Sequence, residues 1–305
     1  MKRSLTIFLM LCTGASLWGQ PRITSTERLP VGAERPWAQP RFSPDGQSIL
    51  FTSSDYSGIW QYTVADRTVR LLTADAGAGT AYALSPDGSR LTYRRNVTSP
   101  DLRERSQEIV LQDLARNTRT VVAAARRLSE PGFVQGKVVF TEGQQVRNLT
   151  LGKTTSEVTV LGIEDTKIVL NRNGARVVLD PLGNGHYIWP VLSPARDRLV
   201  AYDMDRGTFV CDLDGNVSAR LGRRDAPVWT RDGAWLVFMD DRDDGQQILS
   251  SDLYAIAPDG SRIVQLTATA GVLEMYPDCS PSENRIVCSS ADGALYLLTY
   301  TMEGK

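Results

Sequence analysis

The chain has 305 residues, 34 of them basic and 35 acidic for a net charge of −1, and 42% are hydrophobic. This near-balance excludes the basic excess with which nucleic-acid binders neutralise phosphates. One histidine and four cysteines exclude the ligand-rich patterns of zinc sites.

Residues 1–19 predict a secretory signal peptide. Lys2 and Arg3 start it, residues 5–11 form a short apolar run, and Thr13, Gly14, Ala15 and Ser16 lead to a cleavage point at Gly19-Gln20. The run is shorter than the roughly 20 apolar residues that cross a bilayer. Leu11 is too large for the position before a lipid-anchored cysteine, so no anchor is expected on Cys12. Residues 20–305 are expected to form one exported domain with no transmembrane span. Without Lys2 and Arg3 it carries 32 basic and 35 acidic residues, a net of −3.

Within that domain a short apolar strand recurs seven times, centred on Leu50, Thr92, Val139, Val169, Val200, Val237 and Val287. A period of about forty residues marks one supersecondary unit repeated around a ring. The first copy shows the unit. Residues 39–43 form a strand stopped by Pro44, which cannot donate to a ladder. Asp45-Gly46 turns the chain, and Ile49-Leu50-Phe51-Thr52 returns as a run suited to burial on both faces. Residues 59–64 and 69–73 add a third and a fourth strand, which together describe a propeller blade.

The second copy follows through Leu91-Thr92-Tyr93, Ile109-Val110-Leu111 and Thr120-Val121-Val122. The third is degenerate, with Phe133, then residues 137–140 and 146–151, and residues 158–160 as its expected fourth strand. The fourth is the shortest, residues 167–170 and 176–179 about a turn at Asn173-Gly174. Copies five and six occupy residues 189–221 and 227–266, and copy seven stops after Leu295-Tyr296-Leu297-Leu298, one strand short. Residues 23–29 have the composition of that missing strand, and lending it would close the ring and remove its last open edge. The predicted fold is therefore an all-β propeller of seven four-stranded blades, or of six if copies three and four merge.

The Phe42-Ser43-Pro44-Asp45-Gly46 turn, the strands ending Leu72-Thr73 and Leu266-Thr267, and the copy-six run Asp252-Leu253-Tyr254-Ala255-Ile256 before Pro258-Asp259-Gly260 resemble the TolB-like β-propeller repeat. The resemblance covers nearly all of residues 20–305. It implies a periplasmic envelope protein whose propeller binds a lipoprotein or another envelope protein. TolB itself carries an α/β domain ahead of its propeller, for which the seventeen residues before Trp37 leave no room.

Catalytic patterns are sparse. No Gly-x-Ser-x-Gly elbow accompanies the lone His186, so a serine triad is not expected. Asp240-Asp241-Arg242-Asp243-Asp244-Gly245 fails the spaced calcium pattern because Arg242 stands at the middle ligand position, and it reads as a solvated loop. No carboxylate pair suited to glycoside hydrolysis stands out. No cofactor or metal is expected.

Cys279 and Cys288 flank the apex of the last hairpin and are candidate disulfide partners, a pairing that export permits. Aligning the copies on the turn serine places Trp37, Tyr187, Arg224 and Glu274 at one mouth of the central channel, with His186, Trp189 and Tyr276 adjacent. Aromatic and arginine side chains are frequent interface anchors. The expected function is a non-catalytic interaction module of the bacterial envelope; the alternative is a propeller that binds or cleaves carbohydrate, with a glycan as partner.

Overall fold

The computed structural model describes residues 19–98, 105–134, 136–150 and 158–304. The expected leader, Cys12 included, lies outside the described residues except for Gly19, as does Leu151 of the third copy. After β1 (Gln20–Arg28) the strands fall into seven antiparallel sheets arranged as blades. Blade 1 is β2 (Trp37–Phe42), β3 (Ser48–Ser53), β4 (Ile59–Thr63) and β5 (Thr68–Thr73). Blade 2 is β6 (Tyr82–Leu84), β7 (Arg90–Thr98), β8 (Arg105–Asp113) and β9 (Thr118–Ala125). Blade 3 is β10 (Gly132–Val134), β11 (Lys137–Glu142) and β12 (Gln145–Thr150), and blade 4 is β13 (Val158–Glu164), β14 (Lys167–Arg172) and β15 (Ala175–Leu179). Blade 5 is β16 (Tyr187–Leu192), β17 (Arg198–Asp203), β18 (Gly207–Asp212) and β19 (Val217–Gly222). Blade 6 is β20 (Asp225–Trp229), β21 (Leu236–Asp243), β22 (Ile248–Ile256) and β23 (Ile263–Gln265). Blade 7 is β24 (Glu274–Cys279), β25 (Arg285–Ser290) and β26 (Leu295–Glu303), completed by β1.

The core is a set of layers between blades. All six residues of β3 are buried, as a continuous apolar run between two neighbouring sheets requires. Leu50, Ile59 and Leu72 of blade 1 pack on Tyr82, Leu91, Tyr93 and Val110 of blade 2. Blades 6 and 7 meet through Trp235, Val237 and Leu253 against Ile286, Cys288 and Leu298.

The repeated turn has a local cause. Ser43, Ser85 and Thr230 hydroxyls donate to Asp45, Asp87 and Asp232 carboxylates at 2.5–2.6 Å. The same hydroxyls accept the backbone N–H of Ser48, Arg90 and Trp235 at 2.9–3.1 Å. One side chain thus satisfies both sides of the turn. Gly46 and Gly88 take the left-handed conformation at φ 73° and 70°, which a Cβ would disfavour.

The ring closes as the sequence predicts. β1 pairs antiparallel with β26 from Gln20 opposite Glu303 to Arg28 opposite Tyr296. The Trp235 indole Nε1 donates to the Gly19 carbonyl at 3.2 Å, which ties the same segment to blade 6.

Blades 3 and 4 depart from expectation. Among the described residues each has three strands, and residues 158–160, expected as the outer strand of blade 3, belong to β13 and pair with β14. The apolar side chains Val158, Val160 and Ile163 draw that strand into the blade 4–5 layer. Arg196 Nη1 donates to the Val158 carbonyl at 2.9 Å and the Tyr187 N–H to the Thr166 carbonyl at 3.0 Å. β13 therefore lies beside β16 but runs the opposite way.

Candidate functional site

The innermost strands surround a central cavity of about 1270 Å³. We term its upper mouth the end where β2, β16, β20 and β24 begin, and its lower mouth the end with the Ser/Thr–Asp turns. In four consecutive blades, 5, 6, 7 and 1, the innermost strand carries the same irregularity. Pairing skips between Ile188 and Val191, Asp225 and Val228, Met275 and Asp278, and Ala38 and Arg41. Each skip holds a residue followed by proline: Trp189-Pro190, Ala226-Pro227, Tyr276-Pro277 and Gln39-Pro40. A proline has no N–H for the ladder and is accommodated at a bulge. The residue before it takes φ 48–51° in every case, a conformation that costs a non-glycine residue about 1–2 kcal/mol. All four of these residues line the cavity.

Of the sequence-predicted mouth residues, the structure brings Trp189 and Tyr276 to the cavity, with ring centroids 6.5 Å apart. The others are placed elsewhere. Trp37 is 2% exposed, packed on Phe51 and Trp60 at 5.1 and 4.9 Å, with its indole bonded to the Gly32 carbonyl. Tyr187 is buried; its hydroxyl donates to Asp180 Oδ1 at 2.7 Å and accepts the Leu182 N–H at 2.8 Å. Burial opposes ionisation of Asp180, but that hydroxyl, the Gly185 N–H and Lys167 hold its carboxyl well below the usual range. Arg224 lies 5.1 Å over the Phe238 ring and donates to the Arg223 carbonyl at 2.6 Å. Glu274 is 2% exposed within the blade, and burial raises its carboxyl above the ordinary value. His186 sits before β16 with an exposed imidazole, Nδ1 3.8 Å from Asp205.

The candidate disulfide is not formed. Cys279 stands opposite Ile286, because the turn closed by the Ser280 N–H on the Arg285 carbonyl at 2.9 Å centres the hairpin one residue earlier than the cysteine spacing needs, and both Cys279 and Cys288 are free thiols. Burial pushes all three described thiols up, that of Cys211 to about 12.

The structure adds residues the sequence did not single out. Asp240–Asp243, read as loop, closes strand β21, and the Asp241 side chain is largely buried. Arg223 neutralises it: Arg223 Nε lies 2.9 Å from Asp225 Oδ2, and its Nη2 3.2 Å from Asp241 and 3.6 Å from Asp243. The Asp225 carboxylate is also a charged neighbour of Asp241 and of the Tyr202 hydroxyl. Burial, then the neighbouring Asp225 carboxyl, raise Asp241 to about 6 against the pull of Arg223. Tyr202 packs edge-on against Trp189 at 5.6 Å. The upper mouth thus has an aromatic wall, Tyr202, Trp189 and Tyr276, with a carboxyl pair behind it.

A second acid faces the cavity between blades 7 and 1. Asp278 accepts the Phe42 N–H at 2.7 Å, and burial lifts it to about 6 against that bond and the Arg41 charge. Among the described residues no group of three or more His, Cys, Asp or Glu is arranged to hold a metal ion, and no helix is long and apolar enough to cross a membrane.

No protein-family model and no curated protein matches the chain. Solved structures do. The β-propeller domain of Myceliophteria thermophila Cps50 (Swd1) is similar at 11% identity and TM-score 0.61, covering 92% of this chain and 100% of that one. The WD40 β-propeller domain of Doa1 gives 11% identity and TM-score 0.60 over 93% and 97%. An oligogalacturonate lyase in complex with manganese gives 12% identity and TM-score 0.50 over 86% and 76%. At such identities the likeness establishes the β-propeller fold.

Proposed function

We propose that the protein is a non-catalytic interaction module of the bacterial envelope, exported to the periplasm, that grips a segment of a partner protein at the upper mouth of its channel. One observation carries the reading: bulges in blades 5 and 7 bring Trp189 and Tyr276 together at the cavity wall. Large aromatic side chains gathered at a concave mouth are the usual anchors of protein interfaces. The TolB-like repeat in the sequence supports the envelope setting, and the leader expected over residues 1–19 supports export.

Cross-linking in the native envelope tests this. A discrete partner captured by the native protein and lost from the Trp189→Ala/Tyr276→Ala double variant is expected. Capture indifferent to both changes would overturn it.

The carbohydrate reading is favoured by one feature, the carboxyl pair Asp225 and Asp241 beside aromatic rings, a combination that also suits sugar hydroxyls and ring faces. Turnover of an envelope glycan or a uronate polymer by the purified protein would put that reading first.

A further inference from the structure

The acid cluster behind the aromatic wall is under-neutralised. Among the described residues Asp225, Asp241 and Asp243 share one close cation, Arg223, whose side chain is 59% exposed, while those of Asp225 and Asp241 are each only 8% exposed. Asp241 Oδ1 is buried and meets no hydrogen-bond donor among the described residues. An ionised oxygen without a donor is costly to bury, so the site gains from any donor that a ligand brings to it.

The surroundings define that donor. Tyr202 links the pair to the wall: its hydroxyl has Asp225 as a charged neighbour, and its ring packs on Trp189, which in turn meets Tyr276. The Tyr276 N–H meets Met239 Sδ at 3.5 Å, which sets Tyr276 beside β21 two residues before Asp241. Aromatic faces attract cations, and carboxylates form their strongest hydrogen bonds with them. An anion would meet repulsion here, and a neutral group would use only half of what the site offers.

We propose that the upper mouth binds a cationic side chain, a lysine ammonium or an arginine guanidinium, presented by a peptide segment of the partner, against Trp189 and Tyr276 and towards Asp241 and Asp225. This rests on the interaction-module reading and names what that module recognises. The basic side chain would supply the N–H that Asp241 Oδ1 lacks.

The test is calorimetric titration of the purified protein with hexalysine, and with hexalysine acetylated on every side chain, at 0.15 M salt. Acetylation removes the charge and keeps the chain. Hexalysine is expected to bind, and its acetylated form to bind at least tenfold more weakly. Asp241→Asn and Trp189→Ala should each weaken hexalysine at least tenfold, while melting curves show both variants folded. Should either variant fail to fold, Asp225→Asn and Tyr276→Leu carry the same expectation. Absence of hexalysine binding, equal binding of the acetylated form, or undiminished binding by folded Asp241→Asn would each overturn the assignment. The two readings fail separately: partner capture lost in Trp189→Ala/Tyr276→Ala but retained in Asp241→Asn sinks the cation site and leaves the module, whereas capture indifferent to the double variant sinks the module itself.

Discussion

The rings of Trp189 and Tyr276 meet at 6.5 Å although blade 6 stands between the blades that carry them. The bulge residue of blade 6 at the equivalent position is Ala226, whose methyl group leaves the space open. Ala226→Phe should therefore wedge the two rings apart. We expect partner capture to fall at least tenfold, with a stability loss of about 1–3 kcal/mol from overpacking, read by cross-linking yield and by urea unfolding.

Trp37 and Tyr187 should behave in the opposite way, costing stability and leaving capture unchanged. Trp37→Ala removes a buried indole packed on Phe51 and Trp60 and should cost about 3–5 kcal/mol. Tyr187→Phe strands Asp180 and the Leu182 N–H and should cost about 1–3 kcal/mol. Urea unfolding measures both. A capture defect in folded Tyr187→Phe would return that residue to the binding surface.

Stability should rise as pH falls from 7.5 towards 5. Asp241, facing Asp225, Asp243 and Arg223, and Asp278, facing Arg41 and the Phe42 N–H, both titrate near 6 in the folded chain, above the ordinary carboxyl value. Each binds its proton more tightly folded than unfolded, so its contribution is complete below the unfolded value and is lost as pH climbs through about 6. Asp87, held at about 2 by the Ser85 hydroxyl and the Ser89 N–H, and Asp180 act in the opposite sense and erode stability only at lower pH. Melting temperature against pH should thus peak between 4 and 6. Asp241→Asn and Asp278→Asn should each flatten the slope on the neutral side.

The described thiols should be inert in the folded state. Cys211, Cys279 and Cys288 are unpaired and burial raises each of them. Electrophoretic mobility should be the same with and without reductant. Modification of these three by a thiol reagent at pH 8 should await denaturant, because a suppressed thiolate reacts slowly.

Much of the architecture is legible in the sequence because the repeat writes its own chemistry. Ser43, Ser85 and Thr230 announce turns that their hydroxyls then build, and the seven apolar runs become the seven second-layer strands or their equivalents. Blades 3 and 4 are less legible because no Ser-x-Asp turn marks where β13 changes sheets. The site was hidden by register. Counting back from the turn serine treats the innermost strand as regular, but the extra residue before each proline turns Trp37, Tyr187 and Glu274 into the blade and leaves Trp189 and Tyr276 at the wall. Asp241 looked like one of a solvated run. Only the pairing of β21 shows that it shares an interior with Asp225, sixteen positions earlier.

The partnership of β1 with β26 also sets an order of events in the life of the chain. The first strand of the ring to leave the ribosome, Gln20–Arg28, must wait for the ring's last strand, Tyr296–Glu303, before it has a partner. Blades 1 to 6 can gather locally as they emerge, but this contact spans almost the entire sequence, and pairings of such separation form slowly. The ring can lock only once β26 has been made, so the growing chain stays open at its seam until the ring's final strand emerges, and whatever meets it before then meets an open circle.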